Sequence, residues 1–100
     1  METLTKEEYN GILKNQGDLL LYFYRQNDAQ STLGLDTVSA IDAMIAKPFT
    51  VYIINADEQP EICKACGVKN LPEAIAIKNT RIYKRMTGLM NSQQLLYLMK

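Results

Sequence analysis

The sequence predicts an α/β fold in which a central mixed sheet of about four or five strands is flanked by helices on both faces. Two apolar runs, at residues 19–24 and 49–54, have the composition of strands that are buried on both sides of a parallel sheet. A helical pattern lies between them, so the three segments form a right-handed strand–helix–strand unit. Two later strands, joined by a tight turn at residues 78–80, must run antiparallel, which makes the sheet mixed.

The first two helices have recognisable patterns. Thr5 and Glu8 have the spacing of a capping box, which predicts that the first helix begins there. Apolar residues recur at helical spacing from Leu35 to Ile45, which gives the second helix one buried face. This helix is predicted to end near Pro48, because the residue before a proline disfavours helical geometry.

The last two helices are shorter. Pro60 suits the first turn of the third helix, Asp57 or Gln59 can cap it, and Gly67 can end it. Asn91, or the residue after it, can cap a final helix with one apolar side. The predicted order of elements is therefore helix, strand, helix, strand, helix, hairpin, helix.

Composition and charge limit the classes of function. One hundred residues, 47% of them hydrophobic, suit one domain, residues 1–100, with a single compact core. Eleven basic and eleven acidic side chains cancel, so no overall field favours nucleic acid or a membrane surface. No apolar run has the length of a signal or a membrane span, which makes the cytoplasm the expected location. Two cysteines without histidine predict no metal site, and no pattern predicts a cofactor.

The hairpin carries a cluster of basic residues. These are Lys78, Arg81, Lys84 and Arg85. Lysine and arginine commonly protect an exposed sheet edge against pairing with another chain. We therefore predict that the hairpin forms the edge of the sheet, rather than a nucleic-acid patch.

A motif in the second half of the chain carries a family resemblance. Residues 66–72 read Cys-Gly-Val-Lys-Asn-Leu-Pro, and Gln-Pro-Glu at residues 59–61 precedes them, after the strand at 49–54. This stretch resembles the thioredoxin family, and the order of elements resembles it over essentially the whole chain. The resemblance implies the thioredoxin fold. It also implies that Pro72 is the family's cis-proline, which faces the active-site loop and leaves the preceding backbone free to pair with an extended peptide.

The resemblance also shows what this sequence lacks. It aligns Asp28-Ala29-Gln30-Ser31 with the Cys-x-x-Cys motif of the family. Asn27 stands where the family usually has tryptophan, and Tyr22 stands where it has a buried acidic residue. Three parts of the dithiol machinery are missing together, so the resemblance implies a member that has lost this chemistry.

Asp28 and Ser31 have structural explanations that require no catalysis. Aspartate is a favoured helix N-cap, and its charge complements the helix dipole. A serine nucleophile of the ordinary kind needs a histidine, and the chain contains none. We therefore expect Asp28 to cap the second helix and Ser31 to lie in its first turn.

Cys63 and Cys66 are the alternative source of thiol chemistry. They form a Cys-x-x-Cys pair toward the end of the third helix, where the helix dipole raises the pKa of a thiol. Residues three apart in a helix have Cβ atoms about 5–6 Å apart, whereas a disulfide needs about 3.5–4.5 Å. We expect Cys63 to point inward and Cys66 to be partly exposed, with regulatory oxidation of the pair as the alternative.

The sequence therefore predicts a non-catalytic module that binds a protein or an extended peptide. Main-chain pairing beside the proline survives the loss of the thiols, whereas electron exchange does not. The alternatives are a thiol-disulfide oxidoreductase or redox sensor that uses Cys63 and Cys66, and a structural subunit that acts by dimerising. We expect a monomer or a weak homodimer. The predicted binding residues are Asn27, Asp28, Ser31, Leu71 and Pro72.

Overall fold

The computed structural model describes residues 2–15, 17–44 and 49–100. Within these residues, four helices accompany a five-stranded mixed sheet. The strands are β1 (Glu2–Thr3), β2 (Leu19–Tyr24), β3 (Thr50–Asn55), β4 (Glu73–Lys78) and β5 (Arg81–Thr87). The helices are α1 (Lys6–Asn15), α2 (Ala29–Met44), α3 (Pro60–Cys66) and α4 (Ser92–Leu98).

β2 lies at the centre of the sheet, as its apolar run predicts. The strand order is β1-β3-β2-β4-β5, with β2 parallel to β3 and antiparallel to β4. Tyr22 lies opposite Ile53 on one side and opposite Ala74 on the other. β4 and β5 pair antiparallel, which confirms the predicted hairpin and the mixed sheet.

β1 is an element that the sequence pattern does not predict, because two residues are too few to show alternation. It pairs parallel with β3, with Glu2 opposite Tyr52 and Thr3 opposite Ile53. The N–H of Leu4 continues this pairing with a 3.0 Å hydrogen bond to the carbonyl oxygen of Ile53. Contact with β3, rather than local propensity, therefore defines this strand.

The sheet separates two apolar cores, and the side chains of β2 alternate between them. Leu20 and Tyr22 pack with residues of α2 and α4. Leu19, Leu21 and Phe23 pack with residues of α1 and α3. All five are buried, and each large apolar side chain contributes about 1.5–3 kcal/mol on burial. Helices therefore cover both faces of the sheet, as predicted.

The caps of α1 and α3 follow the sequence in part. The N–H of Thr5 donates to Oε1 of Glu8 at 3.1 Å, and the N–H of Glu8 donates to Oγ1 of Thr5 at 3.4 Å, so the predicted capping box is present. Gly67 ends α3 with φ of 71°. One of the two predicted cap residues of α3 stands at the cap, but the side-chain hydrogen bond expected of a cap is absent. Gln59 occupies the cap position without a side-chain hydrogen bond, and the carboxylate of Asp57 forms an ion pair with an arginine.

The other two helices agree with their predicted starts. α2 begins directly after Asp28, and its predicted last residues, Ile45 and Pro48, lie outside the described residues. At the start of α4, Oδ1 of Asn91 accepts a hydrogen bond from the N–H of Gln94 at 2.9 Å. Within the described ranges, no helix combines the length and the apolar character that crossing a bilayer requires.

Candidate functional site

Asp28 fixes the turn between β2 and α2. Its Oδ2 atom accepts a hydrogen bond from the N–H of Ser31 at 2.9 Å, and its carbonyl oxygen accepts one from the N–H of Thr32 at 2.9 Å. These bonds make Asp28 the N-cap of α2, as expected. The hydrogen bonds from Ser31 hold the pKa of Asp28 below its usual value, and the charge of Arg25 adds to this effect. The carboxylate is therefore charged at neutral pH.

Asn27 lies directly before this cap. Its backbone φ is 61°, in the left-handed region that asparagine tolerates better than most residues. Its side chain is exposed. The amide of Asn27 is therefore available at the surface, next to the carboxylate of Asp28.

Ser31 has a different position from the one expected of a binding residue. It is 0% exposed. Its Oγ accepts a hydrogen bond from the N–H of Arg25 at 3.2 Å, and its carbonyl oxygen accepts one from the hydroxyl of Tyr22 at 3.1 Å. Ser31 therefore supports the turn from inside, which corrects the prediction that it contacts a partner directly.

Tyr22 fills the space behind this turn. The ring is buried, and burial, followed by the charge of Asp28, raises the pKa of Tyr22 to about 12. A Cβ atom placed on Gly34 would lie 1.9 Å from the hydroxyl oxygen of Tyr22. The tyrosine thus stays neutral at physiological pH and requires glycine at the facing position of α2.

The Leu71–Pro72 segment directly precedes β4, at the end of the sheet where β2 finishes. The Leu71–Pro72 peptide bond is cis, and the carbonyl oxygen of Pro72 accepts a hydrogen bond from the N–H of Gly88 at 2.8 Å. β4 begins at the next residue, with Glu73 opposite Phe23 near the end of β2. Because these strands are antiparallel, the start of β4 lies beside the end of β2 that leads into the turn before α2.

The backbone before Pro72 has groups that are available for pairing. The N–H groups of Lys69, Asn70 and Leu71 form no hydrogen bond with any residue that the structure describes. Lys69 and Asn70 are exposed, and Leu71 is half-buried. Unpaired main-chain groups at the end of a sheet can bind an extended peptide by strand-like pairing.

Leu71 also lines a pocket of about 400 Å³ at α3. We call it the Cys63 pocket. Its size is within the range of ligand-binding clefts, and apolar side chains form part of its wall. The residues that define it here are Pro60, Cys63, Lys64, Val68, Lys69 and Leu71.

The two cysteines differ in their surroundings, in the opposite sense to the prediction. Cys66 is 2% exposed and packs in the core, where its Sγ lies 3.3 Å from the hydroxyl oxygen of Tyr9. Cys63 is half-buried at the pocket, and its thiol donates to the carbonyl oxygen of Ala56 at 3.9 Å. Cys66 is the last residue of α3 before the C-cap Gly67, and this last turn of the helix packs against the core. Burial is the main cause that raises the pKa of both thiols.

A depression with both apolar and polar walls begins at the residue that follows Gly88. Leu89 follows Gly88, which is hydrogen-bonded to Pro72. Leu89 is 50% exposed and Leu33, on α2, is 54% exposed. Both line a shallow depression of about 550 Å³, which we call the Leu33–Leu89 depression. The sequence analysis does not identify either leucine, because their exposure depends on how α2 packs on the sheet.

The sequence analysis also does not predict an ion pair that lies beside the site. The carboxylate of Glu73 is buried, and its Oε2 atom accepts a hydrogen bond from Nε of Arg85 at 2.5 Å. This hydrogen bond raises the pKa of Arg85, and the arginine charge in turn acts to lower the pKa of Cys66. The available signal was a single acidic residue at the start of an apolar strand, directly after Pro72. Within the described residues, no group of three or more potential metal-ligating side chains comes together.

The thioredoxin family model matches residues 1–100 of the chain. The chain belongs to the thioredoxin family. The match includes the turn at Asp28, the Cys63 pocket and Pro72. No curated protein sequence matches the chain.

Solved structures similar to the chain include proteins of the thioredoxin system. A chain from a study of thiol resolution in yeast mitochondrial 1-Cys peroxiredoxin, through the glutathione and thioredoxin systems, has a TM-score of 0.88 at 18% identity, covering 98% of this chain and 92% of that one. A mutant thioredoxin from Halobacterium salinarum has a TM-score of 0.86 at 17% identity, covering 99% and 86%. A thioredoxin from Malassezia sympodialis has a TM-score of 0.84 at 14% identity, covering 98% and 87%.

The TM-scores show that these proteins share the thioredoxin fold with this chain. Because the identities are low, the chemistry of this family member depends on its own residues. Its turn before α2 contains a charged carboxylate at Asp28 and a buried hydroxyl at Ser31. The two cysteines of the sequence both lie on α3. Cys63 shares a pocket with Leu71, whereas Cys66 lies in the core.

Proposed function

We propose that this thioredoxin-family protein is a non-catalytic module that binds an extended peptide segment of a partner protein beside Leu71 and Pro72. The observation that carries the proposal is that the N–H groups of residues 69–71 form no hydrogen bond within the described part of the chain. Leu71 connects this backbone to the Cys63 pocket. The hydrogen bond between Gly88 and Pro72 connects it to the Leu33–Leu89 depression.

These features supply the two components of peptide recognition. Main-chain hydrogen bonds give affinity that is independent of sequence, and apolar depressions beside them take side chains and give specificity. The exposure of Leu33 and Leu89 on one depression supports the second component, because large exposed apolar side chains close together on a small protein commonly mark an interaction site. A peptide that covers both leucines removes this surface from water.

The residues at the turn support binding without a covalent step. Asp28 has no sulfur, and its carboxylate is held as the cap of α2. The hydroxyl of Ser31 is buried and accepts a backbone hydrogen bond, and the chain contains no histidine to activate it. A partner segment beside Pro72 therefore meets no nucleophile from this turn.

A redox role for Cys63 and Cys66 is the second candidate. One observation favours it, namely that the half-buried thiol of Cys63 shares its pocket with Leu71. Two observations oppose it. Burial raises the pKa of both thiols, which lowers the thiolate fraction at neutral pH. Cys66 is also enclosed in the core next to Tyr9.

The proposal is tested with peptides selected from a random nine-residue library displayed on phage. Fluorescence anisotropy then gives Kd for the protein and for two matched variants. Leu89→Asp is expected to weaken binding about tenfold or more, because it puts a charge into the apolar contact. Leu96→Asp changes a leucine of α4 that is 38% exposed and does not line the Leu33–Leu89 depression, and is expected to leave Kd within about twofold.

Two outcomes would contradict the proposal. One is that the library yields no peptide that binds the folded protein. The other is that Leu89→Asp and Leu96→Asp weaken binding equally while circular dichroism shows both variants folded. A peptide with N-methylated backbone at alternate positions provides a further control, because it is expected to lose binding if main-chain pairing is used.

A further inference from the structure

The Cys63 pocket has a charge distribution that the chain as a whole does not have. Its lining includes Arg25, Lys64 and Lys69, and no acidic residue. The formal net charge of the chain is zero, whereas the charged side chains that line this pocket are all basic. Clefts lined by charge of one sign concentrate ligands of the opposite sign.

Of these three basic residues, Arg25 has an acidic partner, whereas Lys64 and Lys69 have none among the described residues. Arg25 binds both carboxylate oxygens of Asp57 through Nε, at 3.1 and 3.2 Å. Lys64 and Lys69 are exposed and form no ion pair with any residue in the described part of the chain. By contrast, Lys6 of α1 forms an ion pair with Glu61 of α3. Lys64 and Lys69 are therefore the cations available to a ligand.

The pocket also has an apolar component. Ala56, Pro60, Val68 and Leu71 contribute to its lining, together with the half-buried thiol of Cys63. A volume of about 400 Å³ accommodates a large apolar side chain. The thiol lies at this apolar part of the pocket, where it can report whether the pocket is filled.

We infer that the peptide bound beside Leu71 is acidic, places one large apolar side chain in the Cys63 pocket, and directs its carboxylates to Lys64 and Lys69. The inference rests on the proposed function, and it adds the chemical class of the partner segment. Each exposed ion pair contributes about twofold to fivefold in affinity, so two pairs favour an acidic segment about tenfold over its neutral analogue. Asp28 does not line this pocket, and the carboxylate of Asp57 beside it is paired with Arg25.

The first experiment measures the composition of the peptides selected from the random library. Aspartate and glutamate are expected to be enriched in the selected pool over the input. One selected peptide is then made with its acidic residues changed to asparagine or glutamine, and its Kd is expected to rise about tenfold. The difference is expected to vanish in 1 M salt, where the screening length is about 3 Å.

Charge-reversal variants locate the contact. The single variants Lys64→Glu and Lys69→Glu are each expected to reduce the preference for the acidic peptide over its neutral analogue. Arg81→Glu, which reverses an exposed cation at the start of β5, is expected to keep it. If Arg81→Glu lowers the preference as much, the effect belongs to net charge, and the inference is overturned.

The thiol of Cys63 tests the apolar contact. Bound peptide is expected to slow alkylation of Cys63 by iodoacetamide at least fivefold, and Cys63→Trp, which fills the pocket, is expected to abolish binding while the variant stays folded. Unchanged alkylation in the presence of saturating peptide would overturn the placement of the side chain. A pool without acidic enrichment that still depends on Leu89 would overturn this inference and leave the proposed function standing. A library that yields no ligand would instead overturn the proposed function, and this inference with it.

Discussion

Tyr22 and Gly34 determine the shape of the turn at Asp28 together. The hydroxyl of Tyr22 donates to the carbonyl oxygen of Ser31, and the ring occupies the volume in front of Gly34. Ser31 in turn binds both Asp28 and the backbone of Arg25. A buried aromatic side chain thus supports the cap of α2 at the position where the family resemblance implies an acidic residue.

We expect Gly34→Ala to destabilise the protein by about 1–3 kcal/mol, because the new methyl group would overlap the Tyr22 hydroxyl. Urea unfolding measures the change in the free energy of unfolding. Gly11→Ala makes the same substitution on α1, at a position where the added Cβ atom would have no neighbouring side chain or distant backbone within 4 Å. This variant is expected to be neutral or stabilising by up to about 1 kcal/mol.

Adding Tyr22→Leu to Gly34→Ala separates overlap from helix effects. The loss in the double variant is expected to be smaller than the sum of the two single losses by more than about 0.5 kcal/mol, because the leucine leaves room for the methyl group. Additive losses would show that Tyr22 is not the cause.

α3 presents its two cysteines to different environments because it packs on the sheet with one face only. Ile62 and Cys66 enter the core shared with α1. Cys63 lies at the edge of that core, next to the pocket. Neither thiol lies in the turn before α2.

We expect Cys63 to react with iodoacetamide in the native protein, and Cys66 to react only on unfolding. The pKa of Cys63 is raised, so its thiolate is scarce at neutral pH, and the rate is expected to rise steeply as pH increases beyond the usual thiol pKa of about 8.5. Mass spectrometry after timed quenching checks this. Cys63→Ser is expected to abolish native labelling and Cys66→Ser to preserve it, whereas native labelling of Cys66 at a comparable rate would contradict the observed packing.

β5 forms the edge of the sheet, as the basic hairpin predicts. Lysines of both hairpin strands also cover aromatic rings. The ammonium of Lys84 lies 3.8 Å from the ring centre of Tyr97, and that of Lys78 lies 4.4 Å from the ring centre of Tyr83. These cation–π contacts keep charge along the exposed edge, which opposes the addition of another strand there.

The two candidate sites, the backbone before Pro72 and the cysteines of α3, lie in different parts of the protein. The backbone before Pro72, whose N–H groups bind no described residue, lies at the end of the sheet where β2 finishes, whereas the cysteines lie on a helix that covers one face of the sheet. Cys63 is the link, because it shares a pocket with Leu71. The two candidate functions differ in whether Cys63 exchanges electrons with a bound partner.

We expect no cysteine-dependent reduction of insulin disulfides with dithiothreitol as the electron donor. The protein, Cys63→Ser and Cys66→Ser are all expected to match the rate without protein, because Asp28 has no sulfur and both thiols have raised pKa values. Turbidity of the precipitating insulin chain measures the rate. Turnover by the protein that either serine variant loses would contradict the non-catalytic proposal and favour the redox alternative.

Local patterns in the sequence were sufficient for most of the fold. The runs that became β2 and β3, the capping box at Thr5 and Glu8, and the left-handed Gly67 are each decided within a few neighbouring residues. Asp28 as the cap of α2 belongs to the same class. A predicted side-chain cap for α3 failed because Asp57 binds Arg25, which is distant in sequence.

By itself, the sequence determined the α/β fold, the starts of α1, α2 and α4 and the absence of sulfur from the turn before α2, because periodicity and capping act over a few residues. Only the tertiary structure decided which cysteine is buried, that Ser31 is enclosed, and that Lys64 and Lys69 share a pocket with Leu71. The physical reason is that burial depends on which distant elements pack together. Cys66, for example, is covered by Tyr9, 57 residues away along the chain.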